Sequence, residues 1–162
     1  VDQRSLWMQP NLLLQKFPSE NFSATTKLKL ATQGGKAGLT VFGLDYASLL
    51  IEYLPSKKYN ISLRVCKDAD KGSTEVQGSP EVSATSPEVY FRVEVRKVQS
   101  PLKAPIRAIC QFFYSLDGVN FKTIGAPFTA REGKWVGAKV GLFSTGKKGT
   151  YVDFDWFRVA QL

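Results

Sequence analysis

The chain has 162 residues, 43% of them hydrophobic and 22% charged, which suits one globular domain with an ordinary apolar core. It holds no histidine, which excludes Ser-His-Asp triads, Cys-His dyads and histidine-based zinc sites, and two cysteines are too few for a four-cysteine metal site. The net charge of +8 is dispersed in pairs such as Lys57-Lys58, Arg96-Lys97 and Lys147-Lys148 beside expected turns, so it reads as solvated loop charge rather than a nucleic-acid stripe.

The dominant pattern along the chain is period-two alternation, the mark of half-buried strands. In NFSATTKLKL (21–30), Phe22, Ala24, Thr26, Leu28 and Leu30 face one way and Ser23, Thr25, Lys27 and Lys29 the other. AGLTVFG (37–43) and YASLLIEY (46–53) follow as strands separated by Leu44-Asp45. KYNISLRVCK (58–67) alternates Tyr59, Ile61, Leu63 and Val65 with Asn60, Ser62, Arg64 and Cys66. The Ser-, Gly-, Pro- and Thr-rich stretch 72–87 reads as a long sandwich loop or a loose edge strand. EVYFRVEVRK (88–97) sets Val89, Phe91, Val93 and Val95 against Tyr90, Arg92, Glu94 and Arg96.

RAICQFFYSL (107–116) runs into Asp117-Gly118, a type I′ or G1-bulge hairpin signal, with FKTIG (121–125) as the return strand. WVGAKVGLFS (135–144) and TYVDFDWFRVA (150–160) are the last strands. Nowhere does the i, i+3, i+4, i+7 pattern of a helix persist. Many short antiparallel strands without crossover helices predict an all-β, antiparallel two-sheet sandwich over 1–162. Its expected core is Phe22, Leu28, Leu39, Val41, Ile61, Leu63, Phe91, Val93, Phe112, Tyr114, Val140, Leu142, Phe154 and Trp156.

Four sets of residues bear on chemistry. Glu52 and Glu94 lie on polar strand faces and could converge on one sheet as the carboxylate pair of a glycosidase, which needs about 5 to 9.5 Å between the carboxyls. The other reading makes each a solvated strand acid, paired with Arg64 or Arg92. Asp68-Ala69-Asp70-Lys71-Gly72 fails the EF-hand pattern and reads as a turn with Asx caps. Asp153 and Asp155, alternating in the last strand, are candidate ligands of a structural calcium ion; otherwise they are solvent-facing acids, and no other cofactor is expected. Cys66 on a polar face and Cys110 on an apolar one predict two free thiols.

Phe42, Tyr46, Tyr90, Phe113 and Phe143 fall opposite the core-facing set. Rings on an open sheet face stack on sugars, whose C–H bonds are apolar and weakly positive. The same rings would equally serve an interface with another domain, and a register error of one would return them to the core. With Glu52, Arg92 and Glu94 they form the set of carbohydrate-binding or interface candidates. No stretch of about eighteen apolar residues marks a membrane helix, and VDQRSLWMQP lacks the build of a signal peptide.

Several segments resemble one known pattern: NLLLQKFPSENFSATTKL (11–28), AGLTVFGLDYASL (37–49), VCKDADKG (65–72), EVYFRVEV (88–95), CQFFYSLDGVNFKTIGAPFTAREGKWVGAKVGLF (110–143) and YVDFDWFRV (151–159). They resemble the C-terminal β-sandwich domain of glycoside hydrolase family 43 enzymes, the β-xylosidase and α-L-arabinofuranosidase group. The resemblance implies a concanavalin A-like jelly roll and a parent enzyme whose chemistry sits in a catalytic β-propeller absent from this chain. It implies a plant polysaccharide or oligosaccharide as the parent's substrate, and a periplasmic or secreted location. No catalytic motif of that propeller occurs here, so no catalytic residue is carried over. The reading from residues alone keeps a free-standing, lectin-like carbohydrate-binding module as the alternative.

Overall fold

The computed structural model describes residues 5–98, 107–133 and 137–162. Among the described residues twelve strands form in chain order: β1 (Leu12–Lys16), β2 (Asn21–Leu30), β3 (Lys36–Phe42), β4 (Tyr46–Tyr53), β5 (Tyr59–Cys66), β6 (Val76–Gln77), β7 (Val82–Ala84), β8 (Glu88–Val98), β9 (Arg107–Ser115), β10 (Lys122–Ala130), β11 (Lys139–Thr145) and β12 (Val152–Gln161). Among the described residues the only helical pieces are 3-10 turns at Leu6–Met8 and Ala69–Lys71. None of these is long and apolar enough to cross a membrane.

The strands pair antiparallel in two sheets. One is seven-stranded, in the order β1-β11-β3-β4-β5-β6, with β7 also on β5; the other is five-stranded, β10-β9-β8-β2-β12. Their apolar faces meet, so alternation along each strand becomes burial: in β2 every second residue from Phe22 to Leu30 is buried, and β8 does the same from Val89 to Val95. Burying each large apolar side chain contributes about 1.5–3 kcal/mol. The Ser- and Pro-rich stretch contains β6 and β7, two short edge pieces on β5. β1 arises where no strand was expected, as the partner of β11. Of the expected strand 135–144, Trp135 and Val136 lie outside the described residues, and pairing starts at Lys139.

The expected core is buried apart from Tyr114, Phe154 and Trp156. Tyr114 and Phe154 still pack on it from its rim. Trp156 is a correction. A register shift between Phe154 and Trp156 moves Trp156 opposite Lys27, on the outer face, and puts Phe157 opposite Thr26 and against the core. An extra residue in one strand inverts which side the following side chains take. The bulge is held from both faces: the buried Thr26 hydroxyl donates to the Trp156 carbonyl at 2.8 Å, and Lys27 Nζ lies 2.8 Å from Asp155.

The Asp117-Gly118 turn is a longer loop, 116–121, between β9 and β10. Gly118 alone takes the left-handed backbone there, with φ 79°, which excludes a type I′ turn, since that needs positive φ at two positions. The Asp117 carboxylate organises the loop, accepting from the backbone N–H groups of Val119 and Asn120, both at 2.8 Å, and from the Asn120 amide at 2.7 Å. These bonds hold its carboxyl well below the usual carboxylate range.

Candidate functional site

The candidate residues divide between the two outer faces of the sandwich. Phe42, Tyr46, Glu52 and Phe143 belong to the seven-stranded sheet, and Tyr90, Arg92, Glu94 and Phe113 to the five-stranded one. Glu52 and Glu94 therefore point outward with the whole core between them. Stacked sheets alone are about 10 Å apart, beyond the spacing two glycosidase carboxylates need. Glu52 pairs with Lys36 at 3.3 Å and Glu94 with Arg96 at 3.0 Å, not with the expected Arg64 and Arg92.

On the seven-stranded face the expectation of open rings is corrected. Tyr46 and Phe143 are buried, together with Leu6, Leu50, Cys66 and Ala69, in a second apolar cluster beneath the Leu6–Met8 turn. Trp7 stacks on Phe42 at 5.5 Å, and Phe42 on Tyr46 at 5.2 Å. The Tyr46 hydroxyl accepts from the Leu6 backbone N–H at 2.7 Å and donates to Glu75 Oε1 at 2.6 Å. Burial first, and then the bond to Glu75, push this phenol far above its ordinary pKa. Beneath the cover lie Thr40 and Ser48, buried but satisfied: Ser48 donates to Thr40 at 2.8 Å, and Thr40 to the Ala47 carbonyl at 3.1 Å. A sugar therefore finds protein where the rings were expected to be open.

The same cover explains Cys66. Its side chain points to the outer face, as the alternation predicts, yet it is buried because the 3-10 turn at Ala69–Lys71 and the Ser73 carbonyl close over it. Both cysteines are free. The Asx-capped turn is also corrected: Asp68, in left-handed backbone at φ 50°, makes no side-chain cap. Its carboxylate instead meets Lys71 at 3.2 Å and Arg131 at 3.3 Å, which lowers its pKa.

The five-stranded face keeps its polar and aromatic side chains partly exposed. Tyr90 and Trp156 lie 6.3 Å apart between centroids. Gly118 presses on Tyr90, since a Cβ there would come 2.8 Å from the ring. Sheet register sets Arg158, Thr25, Arg92 and Phe113 side by side in one row across β12, β2, β8 and β9. Arg92 Nε donates to Thr25 Oγ1 at 3.1 Å, and its guanidinium sits 3.8 Å from the Phe121 centroid. The Arg158 guanidinium sits 4.4 Å from that of Trp156. Trp156, Phe121 and Arg158 were missed in the sequence; the bulge hides the first and third, and a loop position hides the second. Asp155 is taken by Lys27, whose pKa that bond raises. Asp153 is exposed opposite Lys29, and among the described residues no three potential metal ligands gather.

The chain matches known proteins in keeping with this architecture. A curated β-xylosidase of Formosa agariphila is 52% identical over 46 residues, 27% of this chain and 8% of that protein. The solved structure of an engineered family 43 glycoside hydrolase with endo-xylanase and exo-arabinofuranosidase activity superposes with a TM-score of 0.79 at 17% identity. It covers 94% of this chain and 31% of that one. The xylan β-1,4-xylosidase of Bacillus halodurans superposes at 0.71 with 18% identity, over 93% of this chain and 29% of that enzyme. The chain thus spans less than a third of these relatives. The family described as the β-xylosidase C-terminal concanavalin A-like domain matches residues 2–160, and the chain belongs to it.

Proposed function

We propose that this chain is the ancillary β-sandwich of a family 43 glycoside hydrolase acting on xylan- or arabinan-type plant polysaccharide, packed on a catalytic β-propeller and without hydrolytic activity of its own. The observation that carries this reading is the family match over residues 2–160. The placement of Glu52 and Glu94 on opposite outer faces supports it, because those two acids cannot share one glycosidic bond. Met8, 81% exposed on the turn over the outer cluster, and Leu13, 75% exposed on the inward side of the edge strand β1, support contact with another domain along this edge of the seven-stranded sheet. A polymeric plant substrate favours a periplasmic or secreted parent.

Two assays test the reading. Aryl-xyloside and aryl-arabinoside substrates should show no turnover by this chain above buffer. The chain should bind a separately produced family 43 propeller of its parent, and Leu13→Glu should weaken that binding. Turnover that Glu94→Gln abolishes would overturn the proposal.

A further inference from the structure

We propose that the Arg92–Thr25–Arg158 row on the five-stranded sheet binds the carboxylate of an acidic sugar, a uronate carried on a polysaccharide. Three rings of this face are already engaged. Arg158 lies over Trp156 and Arg92 over Phe121, and Gly118 lies against Tyr90. The face therefore offers a ligand guanidinium groups more than ring surfaces. Stacking on a ring holds each guanidinium flat and leaves N–H groups at its edge, the geometry that grips a carboxylate in a fork.

Register places Arg92 and Arg158 on either side of Thr25, with backbones about 10 Å apart across two strand spacings. That span suits one sugar unit with its carboxylate. The acids beside this row are engaged elsewhere, Glu88 and Asp155 with Lys27 and Glu94 with Arg96, while Asp153 lies farther along β12, opposite Lys29. Among the described residues neither Arg92 nor Arg158 meets a carboxylate, so this adjacent pair carries uncompensated positive charge on the face. The choice of a sugar as bearer of the carboxylate rests on the function proposed above; the anion site itself rests on the geometry alone.

The test is calorimetric titration of this chain with xylotetraose carrying one glucuronic acid branch, against unbranched xylotetraose, at low and at physiological ionic strength. The acidic sugar should bind at least about tenfold more tightly, and added salt should weaken it. Arg158→Gln, at an exposed strand position that leaves the core intact, should cost roughly tenfold, and Arg92→Gln a similar factor. Arg158→Lys should recover only part, since a lysine keeps the charge and loses the fork. Equal affinity for the two sugars overturns the inference, as does an unchanged Kd in both glutamine variants with unchanged melting temperatures. So does equal, Arg158-dependent affinity for a short DNA duplex, which would mark a general polyanion surface. A chain that docks a propeller but ignores the uronate overturns this inference alone; one that binds the uronate but no propeller removes only the ancillary reading.

Discussion

Truncating Phe91 to alanine tests the sheet register that every assignment of face depends on. Phe91 is fully buried in the middle of β8, paired with Thr26 on β2 and Tyr114 on β9. The seven-stranded sheet closes over it, so the hole has no route to solvent through which to collapse. Phenylalanine truncations in such cores cost about 3–5 kcal/mol, or roughly 6–20 °C in Tm for a domain of this size. Its neighbour Tyr90 faces the other way and is only partly covered, by Gly118 and Trp156. Tyr90→Ala should cost no more than about 1–2 kcal/mol, the loss of one partly buried ring and its aromatic contact. Urea melts of both variants read this difference directly, with m unchanged if both remain two-state. A Tyr90→Ala penalty equal to or larger than that of Phe91→Ala would show that β8 is inverted, and the division of residues between faces would fall with it.

Tyr46→Phe should cost about 1–3 kcal/mol in a denaturant melt, because it leaves the Leu6 N–H and Glu75 without the partner each now has. Gly118→Val should destabilise by at least about 1–3 kcal/mol, from a β-branched residue at φ 79° and a Cβ driven into Tyr90; an unchanged Tm would refute that turn. Neither cysteine should react with a thiol reagent in the native state, and Cys66, under a single turn, should open before Cys110 in the sheet-to-sheet core. Burial pushes the Cys110 thiol up to about 12, so the folded chain keeps a proton that the unfolded chain loses near pH 8.5. Its contribution is therefore complete below about pH 8.5 and falls as pH rises toward about 12. Cys110→Ala should flatten the alkaline loss of stability relative to the parent chain, and an identical pH dependence would refute the assignment.

The alternation in residues 21–30 and 88–97 was enough to find β2 and β8, and the run 46–53 coincides with β4. A strand's period is a local property of the backbone, and the choice of apolar side for a core is written directly into it. The family, too, was legible, because stretches such as YSLDGVNF and GKWVGAKVGLF are specific to it. What the period cannot say is whether the second face of a strand meets water. Tyr46, Phe143 and Cys66 read as outward and are outward, yet the Leu6–Met8 turn and the chain around Ser73 and Glu75 bury them. Nor can the period place two strands in the same sheet, and so Glu52 and Glu94 looked able to meet when topology keeps the core between them. Trp156 is the sharpest case. The bulge that turns it outward is stabilised by Thr26, a hydroxyl in an otherwise apolar row some 130 residues earlier in the chain. Only after β12 pairs with β2 does that hydroxyl meet the Trp156 carbonyl, and parity along one strand is then decided by a partner on another.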